Sequence, residues 1–301
     1  MIVVESIAEL RAALAPGRRP GRRLGLVPTM GAFHEGHASL IRHAVDACDE
    51  VVVSLFVNPT QFNQASDLAG YPRDERADAQ LADALGVDWL FAPAVREVYP
   101  DGFATTISVT GVSEPLEGAH RGQSHFQGVA TVVCKLLNIV GPDVAYFGAK
   151  DAQQLAVIRR MVADLDIPAA IEALPTVRAA DGLALSSRNA LLASADRERA
   201  PALQRALLAV AAAVAAGERD PERALEAGRG ELRDSGAELE YLQLVDPATM
   251  LSLHELDRDA LAVIAARFGS VRLIDNTPVP LGSAESTTNQ PVATPIGAPT
   301  N

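Results

Sequence analysis

Short apolar runs alternate with amphipathic stretches along the chain as far as Pro175. The run Glu50 to Val57 reads E-V-V-V-S-L-F-V, which is typical of a strand covered on both faces. The stretch Glu35 to Cys48 instead places its apolar residues on one face of a helix. Strands that alternate with helices of about 10–15 residues are joined by right-handed crossovers into a parallel sheet. We therefore expect a Rossmann-like, doubly wound α/β domain over residues 1–176.

The same periodicities predict the other elements of this domain. Predicted strands are Leu24 to Val27, Val87 to Phe91, Thr105 to Val109, Asp143 to Phe147 and Ala169 to Leu174. Predicted helices are Asp74 to Leu85, Phe126 to Val140, Asp151 to Asp164 and a short helix after the capping-box pair Ser6 and Glu9. In such sheets ligands bind at the carboxyl ends of the strands, near the switch in strand order.

The pattern changes after Val177. Helices are predicted from Asp196 to Ala216 and from Pro221 to Asp234, and strands over Glu238 to Val245, Ala260 to Arg267 and Val271 to Ile274. Two helices with a small antiparallel sheet indicate a smaller α+β C-terminal domain over residues 177–280, which we expect to act as a lid. Residues 281–301 are rich in Pro, Thr, Ser and Ala without periodicity, so we expect a disordered tail.

Composition and charge exclude several classes of function. The chain has 301 residues, 48% of them hydrophobic, and a formal net charge of −12. Nucleic acids and anionic membranes require basic surfaces, so neither is expected as a partner. Cys48 and Cys134 form no C-x-x-C pair, and we expect two buried free thiols rather than a zinc site. Neither a signal peptide nor an apolar stretch of the roughly 20 residues of a membrane span is found, so we expect a cytoplasmic protein.

The first chemical motif, P-T-M-G-A-F-H-E-G-H, covers Pro28 to His37 between the first strand of this pattern and its helix. Its glycines allow close backbone approach, and the helix start offers free N–H groups and the positive end of the helix dipole. His34 and His37 are three residues apart and share one face of the first turn. Two imidazoles beside these donors can hold a nucleotide phosphate. P-loop and dinucleotide-binding glycine motifs are not found in the sequence.

Two later segments also suit a nucleotide. In F-G-A-K-D-A-Q-Q, Phe147 to Gln154, Lys150 can neutralise an α-phosphate and Asp151 can accept hydrogen bonds from ribose hydroxyls. Gln154 can reach a substrate hydroxyl or carboxylate. The segment L-S-S-R-N, Leu185 to Asn189, adds two hydroxyls and a guanidinium, which are suited to clamping a polyphosphate.

The segment F-V-N-P-T-Q-F, Phe56 to Phe62, follows the second strand of this pattern. Asn58 and Gln61 supply neutral amides among apolar side chains. This combination suits a small, branched, hydroxylated acid better than a sugar or a base.

Two weaker segments leave alternatives open. Asp78, on a predicted helix, is a candidate ligand for Mg²⁺, but a solvated acidic face explains the same helix equally well. Arg121 and His125 precede the apolar helix, where each either lines the pocket or anchors the turn.

In this order, the motifs resemble the pantothenate synthetase (pantoate–β-alanine ligase) family of the H-x-G-H nucleotidyl-transferase superfamily. The matching segments are P-T-M-G-A-x-H-E-G-H, F-V-N-P-x-Q-F, H-F-x-G-V-x-T-V-V, F-G-x-K-D-x-Q-Q and S-S-R-N. The resemblance implies an AMP-forming ligase that condenses (R)-pantoate with β-alanine through pantoyl adenylate and releases AMP and pyrophosphate. It implies ATP as a substrate, Mg²⁺ as a cofactor and a homodimer.

The resemblance also implies site residues. ATP is expected to contact Pro28, Met30, Gly31, Ala32, Phe33, His34, Glu35, Gly36, His37, Gly148, Ala149, Lys150, Asp151, Val177, Leu185, Ser186, Ser187 and Arg188. Catalysis is expected of His34, His37, Lys150, Ser186, Ser187 and Arg188. Pantoate is expected to contact Asn58, Gln61 and Gln154, and β-alanine to contact Gln61. The family commonly has an acidic residue at Ala149, an aromatic one at Ala152 and Met at Leu185, which bears on the packing of the ATP loop more than on the reaction.

Two other functions fit parts of the pattern. A nucleotidyltransferase acting on a phosphate monoester would need a basic acceptor pocket, where this sequence offers Gln61, Gln154 and apolar residues. A catalytically inactive scaffold on the same fold would not need the His, Lys, Asp, Gln and Arg side chains of these motifs.

Overall fold

The computed structural model of the chain describes residues 1–62 and 68–281. Its larger sheet consists of six parallel strands: β1 (Ile2–Val4), β2 (Leu24–Thr29), β3 (Glu50–Leu55), β4 (Trp89–Phe91), β5 (Val144–Gly148) and β6 (Ala170–Leu174). The helices described in this region include α1 (Ile7–Leu14), α2 (Glu35–Ala47), α3 (Glu75–Ala84), α4 (Val95–Val98), α5 (Glu117–Arg121), α6 (Gln123–Val140) and α7 (Ala152–Asp164). The parallel sheet confirms the predicted α/β class.

Helices cover this sheet on both faces because alternate strand residues point to opposite sides. Leu26 and Val52 belong to one buried cluster together with residues of α1, α6 and α7. Their neighbours Val27, Val51 and Val53 belong to another, together with residues of α2 and α3. The continuous apolar run in β3 therefore serves two cores at once.

The strand order is β1-β4-β3-β2-β5-β6, so the chain changes direction across the sheet at β2. After β2 it proceeds outward to β3 and β4, and it then returns to the other side of β2 for β5 and β6. The carboxyl ends of β2 and β5 consequently lie side by side at the switch point, where doubly wound sheets bind ligands.

Residues 177–281 form a second, smaller structural unit. It contains α8 (Ser194–Arg199), α9 (Ala202–Ala215), α10 (Pro221–Leu232) and an antiparallel sheet in the order β7 (Glu238–Val245), β8 (Ala260–Phe268), β9 (Val271–Val279). These elements bury their own apolar cluster, which includes Leu203, Leu207, Val210, Ile264 and Phe268. Val245, Leu261 and Val263, by contrast, pack into the cluster of the parallel sheet. A domain boundary at residues 176–177 stays our proposal.

Some predicted elements were wrong in detail. Residues Thr105 to Val109 have no regular secondary structure, and their backbone contacts α6 instead of a strand: the Ile107 N–H donates to Thr131 Oγ1 at 2.9 Å. The predicted helix Asp196 to Ala216 is broken between α8 and α9, because Pro201 has no N–H and cannot continue a helix. Strand β1 was missed because it is only three residues long.

The remaining general predictions have mixed outcomes. Cys48 and Cys134 are free thiols but are half-buried rather than buried. Among the described residues, no helix is long and apolar enough to cross a membrane. The predicted tail lies, from residue 282 onward, outside the described residues.

Candidate active site

A cleft of about 240 Å³ opens at the carboxyl ends of β2 and β5. Residues from all the strong motifs line it: Pro28, Met30, His34, Gly36, His37, Asn58, Gln61, Gly148, Lys150, Asp151, Gln154, Val177, Leu185, Ser186, Ser187 and Arg188. Among the residues that we assigned to ATP, pantoate, β-alanine or Mg²⁺, six do not line it: Gly31, Ala32, Phe33, Glu35, Asp78 and Ala149. Motifs that are far apart in sequence therefore meet at one place.

The loop between β2 and α2 makes a sharp left-handed turn. Gly31 has φ +85° and Ala32 has φ +54°, a conformation that costs a non-glycine residue about 1 kcal/mol. The Asp78 carboxylate of α3 holds this turn, because it accepts hydrogen bonds from the N–H groups of Ala32 at 2.8 Å and Phe33 at 2.7 Å. Asp78 is buried, so these two bonds are shielded from water.

These bonds give Asp78 a role other than the predicted magnesium ligand. Both of its oxygens are occupied by backbone N–H groups of the loop. Within residues 1–62 and 68–281, no group of three or more His, Cys, Asp or Glu residues is placed to hold a metal ion. The long-range contact could not be read from the spacing of acidic residues along α3.

His34 and His37 cap the N-terminus of α2 with their side chains. His34 Nδ1 accepts from the Gly36 N–H at 3.1 Å, and His37 Nδ1 accepts from the His34 N–H at 3.3 Å. Each Nδ1 must then be unprotonated, so each neutral ring carries its proton on Nε2. The two rings lie 4.3 Å apart between centroids and both line the cleft.

The environment keeps both rings neutral in the free protein. Burial, with a smaller effect of His34, lowers the pKa of His37 to about 3. Burial, followed by the positive charge of Lys150, lowers the pKa of His34. Each ring can therefore donate a hydrogen bond to a phosphate oxygen from Nε2–H without first taking up a proton.

Cationic side chains approach the same cleft from β5 and from the C-terminal segment. Lys150 lies in a 3₁₀ turn, Ala149–Asp151, and its Nζ is 3.4 Å from Asp151 Oδ1. Desolvation within the cleft raises the pKa of the half-exposed Asp151 carboxyl, but Lys150 and Arg188 outweigh this effect and hold it below its usual value. Asp151 is therefore an anionic hydrogen-bond acceptor between two cations.

Ser186, Ser187 and Arg188 are carried by a short hairpin. The Leu185 N–H donates to Val177 O at 2.9 Å, which closes the hairpin, and Ser186 Oγ then accepts from the Arg188 N–H at 3.3 Å. Tyr71, which we did not predict, also lines the cleft. The signal for Tyr71 was only an aromatic residue beside the acidic segment.

The amide segment after β3 forms the other end of the cleft. Asn58 is buried, and its Nδ2 donates to Gln61 Oε1 and to Gly128 O, each at 3.1 Å. Its Oδ1 accepts from the Tyr99 hydroxyl at 2.9 Å. Asn58 thus has its polar atoms occupied by protein and acts by orienting Gln61, which lines the cleft.

His125, for which the sequence left two roles open, contacts this turn. Its Nδ1 lies 2.8 Å from Gln61 O, and because a carbonyl only accepts, His125 donates. His125 also lines a neighbouring cavity that shares Gln61 and Gln154 with the cleft. Apolar side chains complete this end of the cleft: Phe56, Val129, Val132, Val133, Leu136 and Phe147. The region suits a small acid with an apolar body and a few polar groups.

Comparisons with known proteins agree on one family. Residues 2–278 match the family model described as pantoate-beta-alanine ligase. A pantothenate synthetase of Cereibacter sphaeroides is 52% identical over 92% of this chain and 99% of its own length. One from Chelativorans sp. is 54% identical over 92% of this chain and 97% of its own length.

Solved structures of the same family also resemble this chain. The pantothenate synthetase of Thermus thermophilus superposes with a TM-score of 0.87, at 48% identity, over 93% of this chain and 99% of its own. A pantoate-beta-alanine ligase of Francisella tularensis, complexed with beta-gamma ATP and beta-alanine, has a TM-score of 0.77 and 37% identity. That match covers 92% of this chain and 97% of the other.

Proposed function

This chain belongs to the pantoate-beta-alanine ligase family, and from that premise we propose how its cleft joins pantoate to β-alanine. The chain is an ATP-dependent ligase of these two substrates. One observation carries the mechanism: His34, His37, Lys150 and Arg188, from three separate segments, line one cleft. This is the arrangement that a reaction at a single α-phosphate requires.

In the first step, a carboxylate oxygen of pantoate attacks the α-phosphorus of ATP. A new P–O bond forms, the bond to the β-phosphate oxygen breaks, and pyrophosphate leaves with the bonding electrons. The products are pantoyl adenylate and pyrophosphate. The imidazole Nε2–H groups, Lys150 and the Ser186–Arg188 segment offset the negative charge that builds up on the phosphates.

In the second step, the free amine of β-alanine attacks the carbonyl carbon of pantoyl adenylate. The C–N bond forms, AMP leaves as a phosphate anion, and the amine loses a proton to give pantothenate. Adenylation makes this possible because AMP is a far better leaving group than oxide or hydroxide. The protein contributes mostly by positioning the two reactants.

Gln61 and Gln154 are our proposed contacts for pantoate, and Gln61 also for β-alanine. Gln61 is held through its backbone carbonyl by His125 and through its side chain by Asn58 and Met30. A fixed amide beside apolar side chains favours an uncharged, hydroxylated substrate body. It also argues against a phosphate monoester as acceptor, which would need cations at that end.

Three finer points remain proposals. We propose that Mg²⁺ enters as its complex with ATP, since the carboxylates of the described residues form no cluster that fits the ion. We propose a homodimer, to be tested by light scattering of the purified protein at several concentrations. We also expect the protein in the cytoplasm.

The direct test is to incubate the protein with ATP, Mg²⁺, pantoate and β-alanine, omitting each in turn, and to measure AMP and amide formation. The proposal requires AMP only when pantoate is present and pantothenate only when all are present. His37→Ala and Lys150→Ala are expected to lower pantoate-dependent ATP–pyrophosphate exchange by about 10²–10³-fold.

Matched controls are available for both variants. His43→Ala changes an exposed histidine on the same helix α2, and Lys135→Ala removes the only other lysine of the chain. Both are expected to exchange at nearly the wild-type rate. Exchange within threefold of wild type in His37→Ala and in Lys150→Ala would refute the assignment.

A further inference from the structure

Two adjacent buried residues of strand β9, Asp275 and Asn276, contact both of the segments that bring cations to the cleft. We infer that they are positioning residues that hold Lys150 and Arg188 at one triphosphate. The inference rests on the proposed function, and it assigns a task to residues that lie outside the five segments on which the resemblance was based. Neither residue was expected at the site.

Asn276 fixes the backbone around Lys150. Its Nδ2 donates to Ala149 O at 3.0 Å and to Lys150 O at 2.8 Å, so both N–H bonds of the amide are used. These two carbonyls belong to the peptide planes on either side of the Lys150 Cα. Holding both planes fixes the backbone dihedral angles of Lys150, and with them the direction in which its side chain leaves the backbone.

Asp275 fixes the hairpin that ends in Ser186–Arg188. Its carboxylate accepts a two-pronged contact from Arg178, with N–O distances of 2.6 and 2.9 Å. Such paired bonds fix orientation as well as distance. Arg178 also donates to Gly182 O at 3.1 Å across the hairpin, so the ion pair holds the hairpin in shape and attaches it to β9.

The two contacts are mechanically connected. The Asn276 N–H donates to Asp275 Oδ1 at 2.8 Å, and Arg178 also donates to Asn276 O at 3.3 Å. The Lys150 turn and the Arg178 hairpin come from distant parts of the chain, yet one dipeptide of the C-terminal sheet holds both. The separation of Lys150 from Arg188 is therefore set by β9.

This arrangement predicts which of the two reaction steps becomes slower when the contacts of β9 are removed. Displaced cations would slow pyrophosphate departure from ATP, because charge builds up there in the transition state. The attack of β-alanine on the finished adenylate needs no charge at the β- and γ-phosphates. Loss of Asn276 should consequently slow adenylation and largely spare amide formation.

The test compares Asn276→Ala with wild type by rapid quench of single turnovers, which resolves the two steps. We expect adenylation to slow by about 10–100-fold, amide formation to change less than threefold, and KM for pantoate to change less than threefold. Thr277→Ala, at the next position of β9, is the matched control and should adenylate at the wild-type rate. Thermal unfolding of all three proteins checks that they are folded.

A double variant separates positioning from a merely structural role. If Asn276 acts through Lys150, Lys150→Ala/Asn276→Ala should be no slower than Lys150→Ala alone. Multiplicative losses, equal slowing of both steps, or adenylation within threefold of wild type would each overturn the inference. If Asn276→Ala does not fold, Asn276→Ser, which retains one hydrogen-bond donor, replaces it. Its adenylation rate and its amide-formation rate are then each compared with those of wild type in the same way.

Failure of the proposed function would look different. In that case the wild-type protein itself would show no pantoate-dependent adenylation. If wild type adenylates normally while Asn276→Ala matches it, only the positioning role of β9 is lost.

Discussion

His34 and His37 use their Nδ1 atoms to cap helix α2, and this decides which nitrogen each ring offers to a phosphate. The H-x-G-H spacing predicted that the two rings share a face, and the structure shows the capping bonds that fix their tautomer. The sequence alone did not reveal Asp78 as the residue that holds the loop, since that bond joins residues more than 40 positions apart. The spacing within a short motif can place two rings on one face, whereas a long-range support such as Asp78 leaves no local pattern.

The neutral state of His37 can be observed by NMR. Because burial and His34 lower its pKa to about 3, the ring should show no titration between pH 8 and pH 5 in the free protein, with nitrogen shifts of an Nε2–H tautomer. In urea-denatured protein the same ring should titrate near its ordinary value of about 6.5. A midpoint near that value in the folded protein, or an Nδ1–H tautomer, would contradict this account.

Asp78→Asn tests the loop contact. The amide has only one acceptor oxygen, so one of the two buried N–H groups loses its partner, at a cost of about 1–3 kcal/mol. We expect ATP–pyrophosphate exchange to fall by about 10–100-fold because the histidines lose their fixed positions. Excess Mg²⁺ should not restore the rate, whereas a metal ligand would predict rescue. Asp83→Asn, an exposed change on the same helix, serves as control.

The helices and strands of the parallel sheet were largely predictable, because apolar runs and helical periodicity are local signals. Strands β2, β3 and β5 and helices α2 and α6 lie where they were expected. Thr105 to Val109 was wrong because β-branched composition reports only an extended shape, and no neighbouring strand is available there among the described residues. The packing of α6 onto the Pro59–Gln61 turn joins segments that are far apart in the sequence, so the periodicity of either segment does not predict it.

Gly128 on α6 is the residue that allows this packing. A Cβ there would lie 2.4 Å from Thr60 O and 2.8 Å from Gln61 N, so the turn that carries Gln61 would have to move. We expect Gly128→Ala to raise KM for pantoate at least about tenfold while changing the Kd of ATP less than threefold. Gly230→Ala in α10, where a Cβ meets nothing within 4 Å, is the matched control. Unchanged pantoate kinetics would show that the contact does not position Gln61.

At the scale of the whole molecule, a second buried polar cluster joins the part of the chain with the parallel sheet to the part with the antiparallel sheet. Glu117 of α5 accepts from Arg272 of β9 at 2.6 and 2.8 Å, from Tyr241 of β7 at 2.9 Å and from Arg121 at 2.8 Å. Burial raises the pKa of Glu117, but Arg272 and Arg121 outweigh it and bring it to about 2. The sequence could not pair these residues, since they belong to different domains of the prediction.

Acid unfolding tests this cluster. The folded pKa of Glu117 lies below its usual value near 4.5, so its stabilisation is present above that pH and is lost as the pH falls towards 2. A shift of this size corresponds to about 3 kcal/mol. Between pH 5 and pH 2.5, Glu117→Gln should therefore lose less unfolding free energy than wild type, as measured with urea. If unfolding free energy falls equally with pH in the two proteins, Glu117 does not contribute acid-sensitive stability. Glu5→Gln, which changes an exposed carboxylate, is the control.

We propose that a carboxylate oxygen of pantoate attacks the α-phosphorus of ATP in this cleft, so that the reaction proceeds through pantoyl adenylate. Pantoate labelled with ¹⁸O in its carboxylate tests this most directly, because the attacking oxygen stays with the phosphate when the amide forms. We expect mass spectrometry to find one ¹⁸O atom in the AMP product and the other in the amide carbonyl. Unlabelled AMP, or label in pyrophosphate or inorganic phosphate, would contradict it.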